Sequence, residues 1–183
     1  AAEDCGVDFR NDLNPIKGAG NRVLFNGSGL ALGDLNGDGL PEVFFCAIDG
    51  ENALFTNLGS WQFQSCALPP SLRHPGVPSR GVVFADVDGD RDLDILLTTV
   101  GRGVLVFLNR GSFRFEDASA KAGLETRFSA SGLTLADVDG NGSLDVYVAN
   151  NRVDDIRDKA RVPVRGVGNQ ILPPKQWEGR LFI

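Results

Sequence analysis

Three short acidic loops hold most of the residues in this chain that could do chemistry. Each loop places side-chain oxygens at positions 1, 3, 5 and 9 of a nine-residue stretch. These residues are Asp34, Asn36, Asp38 and Glu42 in the first loop, Asp86, Asp88, Asp90 and Asp94 in the second, and Asp137, Asp139, Asn141 and Asp145 in the third. Carboxylates that converge within so short a loop repel one another unless a cation neutralises them. The loops are therefore predicted to bind cations.

Calcium suits this donor set, because it accepts six to eight oxygen ligands from carboxylates, backbone carbonyls and water. The backbone carbonyls at position 7 complete the predicted ligands, at Leu40, Asp92 and Ser143. Up to three calcium ions are expected. An EF-hand is excluded, because that loop needs a Glu at position 12 and helices on both sides. Position 12 is occupied here by Phe45, Leu97 and Val148.

Two residues depart from the common pattern of the loops. Position 6 of the second loop is Arg91, where the other two loops have glycine. Either this turn avoids a positive φ or the site is weaker, and the extra acid Asp92 is expected to compensate in part. Position 9 of the first loop is Glu42, which follows Pro41 and whose longer side chain is still expected to reach the ion.

The acidic loops belong to a longer internal repeat with a period of about 51 residues. Residues 29–45, 81–97 and 132–148 align with one another, and the stretch 52–63 aligns with 104–115 around an Asn-x-Gly-Ser turn. Each unit reads as four short strands, the first two flanking the acidic loop and the last two forming a hairpin. Tandem four-stranded units predict an all-β fold of antiparallel propeller blades.

The repeat predicts one domain with four parts. Residues 1–28 are an N-terminal segment, 29–80 are blade 1, 81–131 are blade 2, and 132–183 are a truncated blade 3 with an insertion at about 151–179. About three blades make an incomplete ring, since a closed propeller typically has at least four. We expect a fragment or a chain closed by association, with self-association through the open blade faces.

These residues also carry a family resemblance. The pattern D-x-[DN]-G-[DN]-x-x-x-[DE] after a Gly-x-x-x-x-Asp strand resembles the FG-GAP/VCBS repeats of calcium-binding β-propellers, such as integrin α-subunit heads. Residues 115–124, 147–152 and 6–11 are similar to the cartilage-acidic-protein-like (ASPIC/UnbV) subgroup. The resemblance implies that the loop residues are calcium ligands. It also implies a propeller of roughly seven blades in a secreted or cell-surface protein.

Composition narrows the remaining classes of function. Lys and Arg number 18 against 24 Asp and Glu, and the resulting net charge of −6 disfavours nucleic acid as a partner. Apolar runs are far shorter than the roughly 20 residues of a membrane helix. No nucleophile elbow, Cys/His pair or phosphate-binding loop is present, so no enzymatic activity is expected.

The three cysteines leave two alternatives open. Cys46 and Cys66 could form a disulfide while Cys5 stays free, or all three could be free thiols.

The sequence therefore predicts a calcium-binding propeller module of a secreted, periplasmic or cell-surface protein. Calcium would be structural, and the blade rim would contact a protein or glycan, as in cell adhesion. Three alternatives stay open: an accessory module of a larger secreted enzyme, a lectin-like sugar binder using Trp61 and Trp177, or a structural fragment with no further ligand. The 151–179 insertion is either a partner-contacting surface or a solvated excursion.

Overall fold

A computed structural model of the chain describes residues 3–20, 22–151 and 170–171. Short helices and 3-10 turns occupy the connections, and β-strands make up the body of the molecule. The helices are α1 (Pro15–Gly20), α2 (Pro70–Arg73) and α3 (Ser119–Ala122), and the 3-10 turns are Glu3–Cys5 and Arg22–Phe25. The strands are β1 (Leu30–Gly33), β2 (Glu42–Phe45), β3 (Ala53–Asn57), β4 (Phe63–Cys66), β5 (Ser79–Ala85), β6 (Asp94–Thr99), β7 (Val104–Asn109), β8 (Phe115–Asp117), β9 (Ser129–Ala136), β10 (Asp145–Asn151) and β11 (Gln170–Ile171).

The strands form three antiparallel sheets that follow the sequence repeat. The first sheet has the order β1-β2-β3-β4 and the second has the order β5-β6-β7-β8. The third sheet has the order β11-β10-β9. The described residues thus contain two four-stranded blades and the first part of another, and they close no ring. The predicted all-β architecture of antiparallel blades in an incomplete ring is confirmed.

The second sheet lies between the other two and is buried on both faces. All residues of β6 and β7 are buried. Ile95, Leu97 and Phe107 pack in the apolar cluster shared with the first sheet. Leu96 and Val106, on the opposite face, pack in the cluster shared with the third sheet. This alternation follows from the two-residue period of a strand, and it explains why the apolar runs of β6 and β7 are continuous.

The N-terminal segment packs against the first sheet. The ring of Phe9 stacks on that of Phe45 with centroids 4.7 Å apart, and Phe45 in turn makes an edge contact with Phe55 at 5.9 Å. Gly6, with a φ of 85°, lies so close to the Phe63 carbonyl that no side chain fits there. The stretch around Gly6 and Phe9 therefore covers part of the outer face of blade 1.

All three cysteines are free thiols in the structure. Cys46 is fully buried, and this burial raises the pKa of its thiol to about 12. Burial also raises the pKa of Cys66. Both side chains lie in the apolar cluster between the first two sheets, where a thiol behaves as a small hydrophobic group.

The predicted division into an N-terminal segment and three blades stays a prediction. Most of the predicted insertion, together with Trp177 and the last strand of blade 3, lies outside the described residues. Within the insertion, Gln170–Ile171 forms β11 and pairs with Tyr147 and Val148 of β10. Among the described residues, no helix has the length and apolar character needed to cross a bilayer.

Candidate metal centre

Each acidic loop connects the first and second strands of its sheet. Position 1 comes directly after the end of β1, β5 or β9, at Asp34, Asp86 and Asp137. Position 9 is the first residue of β2, β6 or β10, at Glu42, Asp94 and Asp145. The two ends of every loop are therefore fixed by an antiparallel strand pair, with Gly33 opposite Glu42, Ala85 opposite Asp94, and Ala136 opposite Asp145.

The carboxylate at position 1 organises the turn by accepting backbone N–H groups. In the third loop, the N–H of Gly140 donates to Asp137 Oδ1 at 2.8 Å, and that of Gly142 donates to Oδ2 at 2.9 Å. Asp34 and Asp86 accept the same pair of bonds from positions 4 and 6 of their own loops. In Asp34 these bonds hold the pKa below its usual value, the largest cause being the N–H of Gly39.

Positions 3 and 5 accept further N–H groups from within the same loop. Position 5 donates its N–H to the position-3 side chain at 2.9, 3.3 and 3.1 Å in the first, second and third loops. Position 7 donates to the position-5 side chain at 2.8, 2.9 and 2.7 Å. The backbone thus turns its N–H groups towards the side-chain oxygens and winds around them in all three loops.

The carboxylate at position 9 is buried and ties the loop to its sheet. Glu42 and Asp94 are fully buried, and Asp145 is 6% exposed. Each accepts the N–H of position 2 of its loop, at 2.8 Å for Leu35, 2.8 Å for Val87 and 2.9 Å for Val138. The Glu at position 9 of the first loop therefore makes the same contact as the Asp of the other two.

Carboxylate oxygens converge in the second and third loops. Oxygens of Asp86, Asp88 and Asp94 lie within 4.8 Å of one another, and so do those of Asp137, Asp139 and Asp145. These are positions 1, 3 and 9, and a single cation could contact all three oxygens of a trio. The position-5 residues Asp90 and Asn141 are outside the trios.

The first loop brings together no such trio of acids among the described residues. Its position 3 is Asn36, whose side-chain amide donates to Asp38 Oδ2 at 2.9 Å. Asp34 and Glu42 then supply the acids at positions 1 and 9. The carbonyl ligands predicted at position 7 stay predictions, as does the ligand role of every predicted residue.

The second loop carries the largest concentration of negative charge. The pKa of Asp94 is raised to about 7, chiefly by burial. The N–H bonds from Val87 and Asn109 lower it, and the nearby charges of Asp88 and Asp90 raise it. Burial also raises the pKa of Asp90. Since both effects disfavour the ionised form, a cation bound at this loop would offset them.

Arg91 at position 6 of this loop has a φ of 78°. Of the two alternatives given for this residue, a turn that avoids a positive φ is excluded, and a weaker site stays a prediction. The N–H of Arg91 donates to Asp86 Oδ2 at 3.0 Å, just as a glycine N–H does in the other loops. This bond and the surrounding loop hold Arg91 in a left-handed conformation that side chains usually disfavour.

Two residues of the β7–β8 hairpin take part in the site and were missed by the sequence reasoning. The backbone N–H of Asn109 donates to Asp94 Oδ1 at 2.8 Å, and its side-chain amide donates to the Leu35 carbonyl at 2.7 Å. Arg110 forms ion pairs with Asp88 and Asp90. The sequence does carry one signal for Asn109, because Asn57 occupies the same position in the first repeat. That recurrence was interpreted only as part of a hairpin turn.

Comparison with known protein families places the repeat. The family model described as FG-GAP-like repeat matches residues 34–97 and 86–148. Each match begins at position 1 of an acidic loop and ends in the strand that follows the next loop. The chain belongs to the FG-GAP-like repeat family. The predicted resemblance is confirmed, and this FG-GAP repeat chain has its acidic loops inside the matched segments.

Two curated proteins are similar in sequence to this chain. It is 26% identical to human cartilage acidic protein 1 over 136 residues, which are 68% of this chain and 20% of that protein. It is 25% identical to mouse cartilage acidic protein 1 over 136 residues, 68% of this chain and 21% of that protein. The FG-GAP repeat chain thus spans about a fifth of the length of the curated relatives it matches.

Proposed function

We propose that this FG-GAP repeat chain is a calcium-binding β-propeller module of a secreted or cell-surface protein. The observation that carries the proposal is the recurrence of one loop geometry in phase with the repeat, with carboxylate trios in the second and third loops. A solvated acidic turn would not need the buried position-9 carboxylate that begins the second strand of each blade. The role proposed for calcium is structural, and the module itself is noncatalytic.

Calcium is favoured over magnesium by the donor set. Magnesium demands near-ideal octahedral geometry and keeps several waters, whereas calcium accepts more oxygens in a flexible arrangement. Here most carboxylate oxygens already accept backbone N–H groups, so the loop itself holds them in place and limits their adjustment to an octahedral ion. Bound calcium would cross-link the end of the first strand of each blade to the start of the second.

The direct test is thermal unfolding in chelator, in 1 mM magnesium and in 1 mM calcium. A ligand that binds only the folded state stabilises it by RT ln(1 + [L]/Kd), so a site of micromolar Kd contributes about 4 kcal/mol at 1 mM. We expect a large rise in melting temperature with calcium and a much smaller one with magnesium. An equal rise with both ions, or none, would contradict the proposal.

Charge-matched variants locate the effect. Asp86→Asn and Asp137→Asn each remove one carboxylate from a trio, and each should reduce the calcium-dependent rise in melting temperature. Asp8→Asn removes the same charge from an exposed residue of the N-terminal segment and should leave the rise unchanged. Because every variant is compared with itself in chelator, a general loss of stability does not imitate loss of a site.

Partner contact is proposed for the rim beside the first loop. Trp61, at the tip of the β3–β4 hairpin, is 79% exposed, and Leu58 in the same hairpin is 60% exposed. Leu40 of the first loop approaches Gly59 of this hairpin, so the apolar tip adjoins the acidic loop. An exposed indole is suited to stacking on a sugar or on an apolar side chain.

The lectin-like alternative makes a prediction about Trp61. Binding of an oligosaccharide should change the tryptophan fluorescence of the unmodified chain, and Trp61→Ala should abolish that change.

A further inference from the structure

In the second acidic loop, the positively charged side chain of Arg110 contacts the carboxylates. Arg110 Nη1 lies 2.6 Å from Asp88 Oδ2 and 3.4 Å from Asp90 Oδ2. Asp88 is a member of the second carboxylate trio, and Asp90 is the position-5 residue of the same loop. The guanidinium therefore contacts two of the residues that we propose as ligands.

The guanidinium is held in place by the hairpin that carries it. Arg110 Nε donates to Glu116 Oε2 on β8 at 2.9 Å, across the β7–β8 turn. The backbone carbonyl of Arg110 accepts a bond from Arg114 Nη2 at 2.8 Å, and its N–H donates to the Arg114 carbonyl. These contacts fix both ends of the residue and orient its charge towards the second loop.

The corresponding hairpin of blade 1 offers no such charge. Asn57-Leu58-Gly59 aligns with Asn109-Arg110-Gly111, so the position of Arg110 is taken by Leu58. The corresponding hairpin of the third repeat lies outside the described residues. Among the two hairpins that the structure describes, Arg110 thus distinguishes the second loop from the first.

A guanidinium and a divalent cation would compete for the same carboxylates. The second loop has five aspartates within nine residues, at positions 1, 3, 5, 7 and 9. Partial neutralisation by Arg110 reduces their mutual repulsion when no metal is bound, and it also weakens their attraction for an added cation. We propose that Arg110 is a built-in counter-cation that lowers the affinity of the second loop for calcium below the value the loop would have without it. This inference rests on the proposed function.

Backbone amides can report on each loop separately in the complete chain. The N–H of Gly89 donates to Asp86, and that of Gly140 donates to Asp137, so each amide signal in an NMR titration reads one loop. In Arg110→Gln the Gly89 midpoint should fall roughly two- to fivefold, about what one partly exposed ion pair is worth, while the Gly140 midpoint stays unchanged.

Arg102→Gln is the matched control. Arg102 makes an ion pair with Glu125 at 3.0 Å and a side-chain bond to a backbone carbonyl, so its loss removes one charge and a comparable set of contacts. This variant should leave both midpoints unchanged. An unchanged or raised Gly89 midpoint in Arg110→Gln would overturn the inference, since Arg110 would then be neutral or would help to position Asp88.

Unfolding in chelator gives a second readout that needs no bound ion. Arg110→Gln should lower the melting temperature more than Arg102→Gln does, and calcium should remove the difference. An equal loss in both variants would overturn the inference.

The same titration tests the proposed function independently of Arg110. That function is contradicted if neither the Gly89 nor the Gly140 amide responds to calcium, in the unmodified chain or in Arg110→Gln. A Gly140 response in the unmodified chain supports that function whatever Arg110 does.

Discussion

At the scale of single residues, one side-chain type performs two tasks in these loops according to its position. An aspartate at position 1, such as Asp86, is directed to the turn and accepts its N–H groups. An aspartate at position 9, such as Asp94, is fully buried at the start of a strand and connects the loop to the sheet. Position within the repeat, and not residue type, therefore decides which carboxylates are structural when no metal is bound.

Arg91 provides a test of backbone strain in the second loop. Its φ of 78° is the conformation that Gly39 and Gly142 adopt at the same position, with φ of 86° and 82°. Arg91→Gly should stabilise the calcium-free protein by about 1 kcal/mol, because a side chain in the left-handed region costs roughly that amount. Denaturant unfolding in chelator measures the change.

The control for this prediction is Arg91→Ala, which removes the same charge and keeps the Cβ atom. It should give little or none of the stabilisation, since the strain comes from the Cβ atom. Equal effects of the two variants would assign the change to charge and would contradict an origin in the backbone.

At the scale of elements, the β7–β8 hairpin links neighbouring blades as well as closing its own sheet. The buried side chain of Asn109 donates to the carbonyl of Leu35 in the first loop and to that of Leu93 in the second. Its backbone N–H donates to Asp94. Asn109 thus connects two acidic loops, and its bond to the Leu35 carbonyl is buried.

Asn109→Ala should destabilise the protein by about 2–3 kcal/mol. The substitution leaves the Leu35 carbonyl buried without its partner, and leaving a buried group unsatisfied costs about 1–3 kcal/mol. Asn57→Ala is the matched variant in blade 1, where the side-chain amide donates to the more exposed Pro41 carbonyl. Urea unfolding should show a clearly smaller loss for Asn57→Ala, and equal losses would argue against the inter-blade bond.

The sequence was informative about elements because the repeat encodes them locally. Position 1 and position 9 of each loop mark the end of one strand and the start of the next, and Asn-x-Gly-Ser marks the hairpin, so the four-stranded unit could be predicted. The contacts of Asn109 with Leu35 and of Arg110 with Asp88 join residues 74 and 22 positions apart. No local pattern specifies such contacts, and the φ of Arg91 likewise depends on the bonds around it.

At the scale of the whole molecule, the repeat shows what each blade presents to its neighbour. Val82 and Phe84 of β5 pack into the apolar cluster shared with blade 1. Leu133 and Leu135, at the same positions of β9, pack into the cluster shared with blade 2. The corresponding residues of β1 are Leu30 and Leu32, which are 53% and 61% exposed. Blade 1 therefore exposes the pair of side chains that the other two sheets partly bury against a neighbouring sheet.

We expect this pair to mediate self-association, with a second copy of the chain covering the β1 face. In a two-fold dimer each substitution removes apolar contact from both copies. Leu30→Thr/Leu32→Thr should therefore weaken association at least about tenfold, since burying one leucine side chain is worth roughly 1.5–3 kcal/mol. Sedimentation velocity over a range of concentrations measures the effect. Leu58→Thr changes a comparably exposed leucine at a hairpin tip and should leave association intact. A monomer at every concentration, or equal weakening by Leu58→Thr, would show that the β1 face does not bind a second copy.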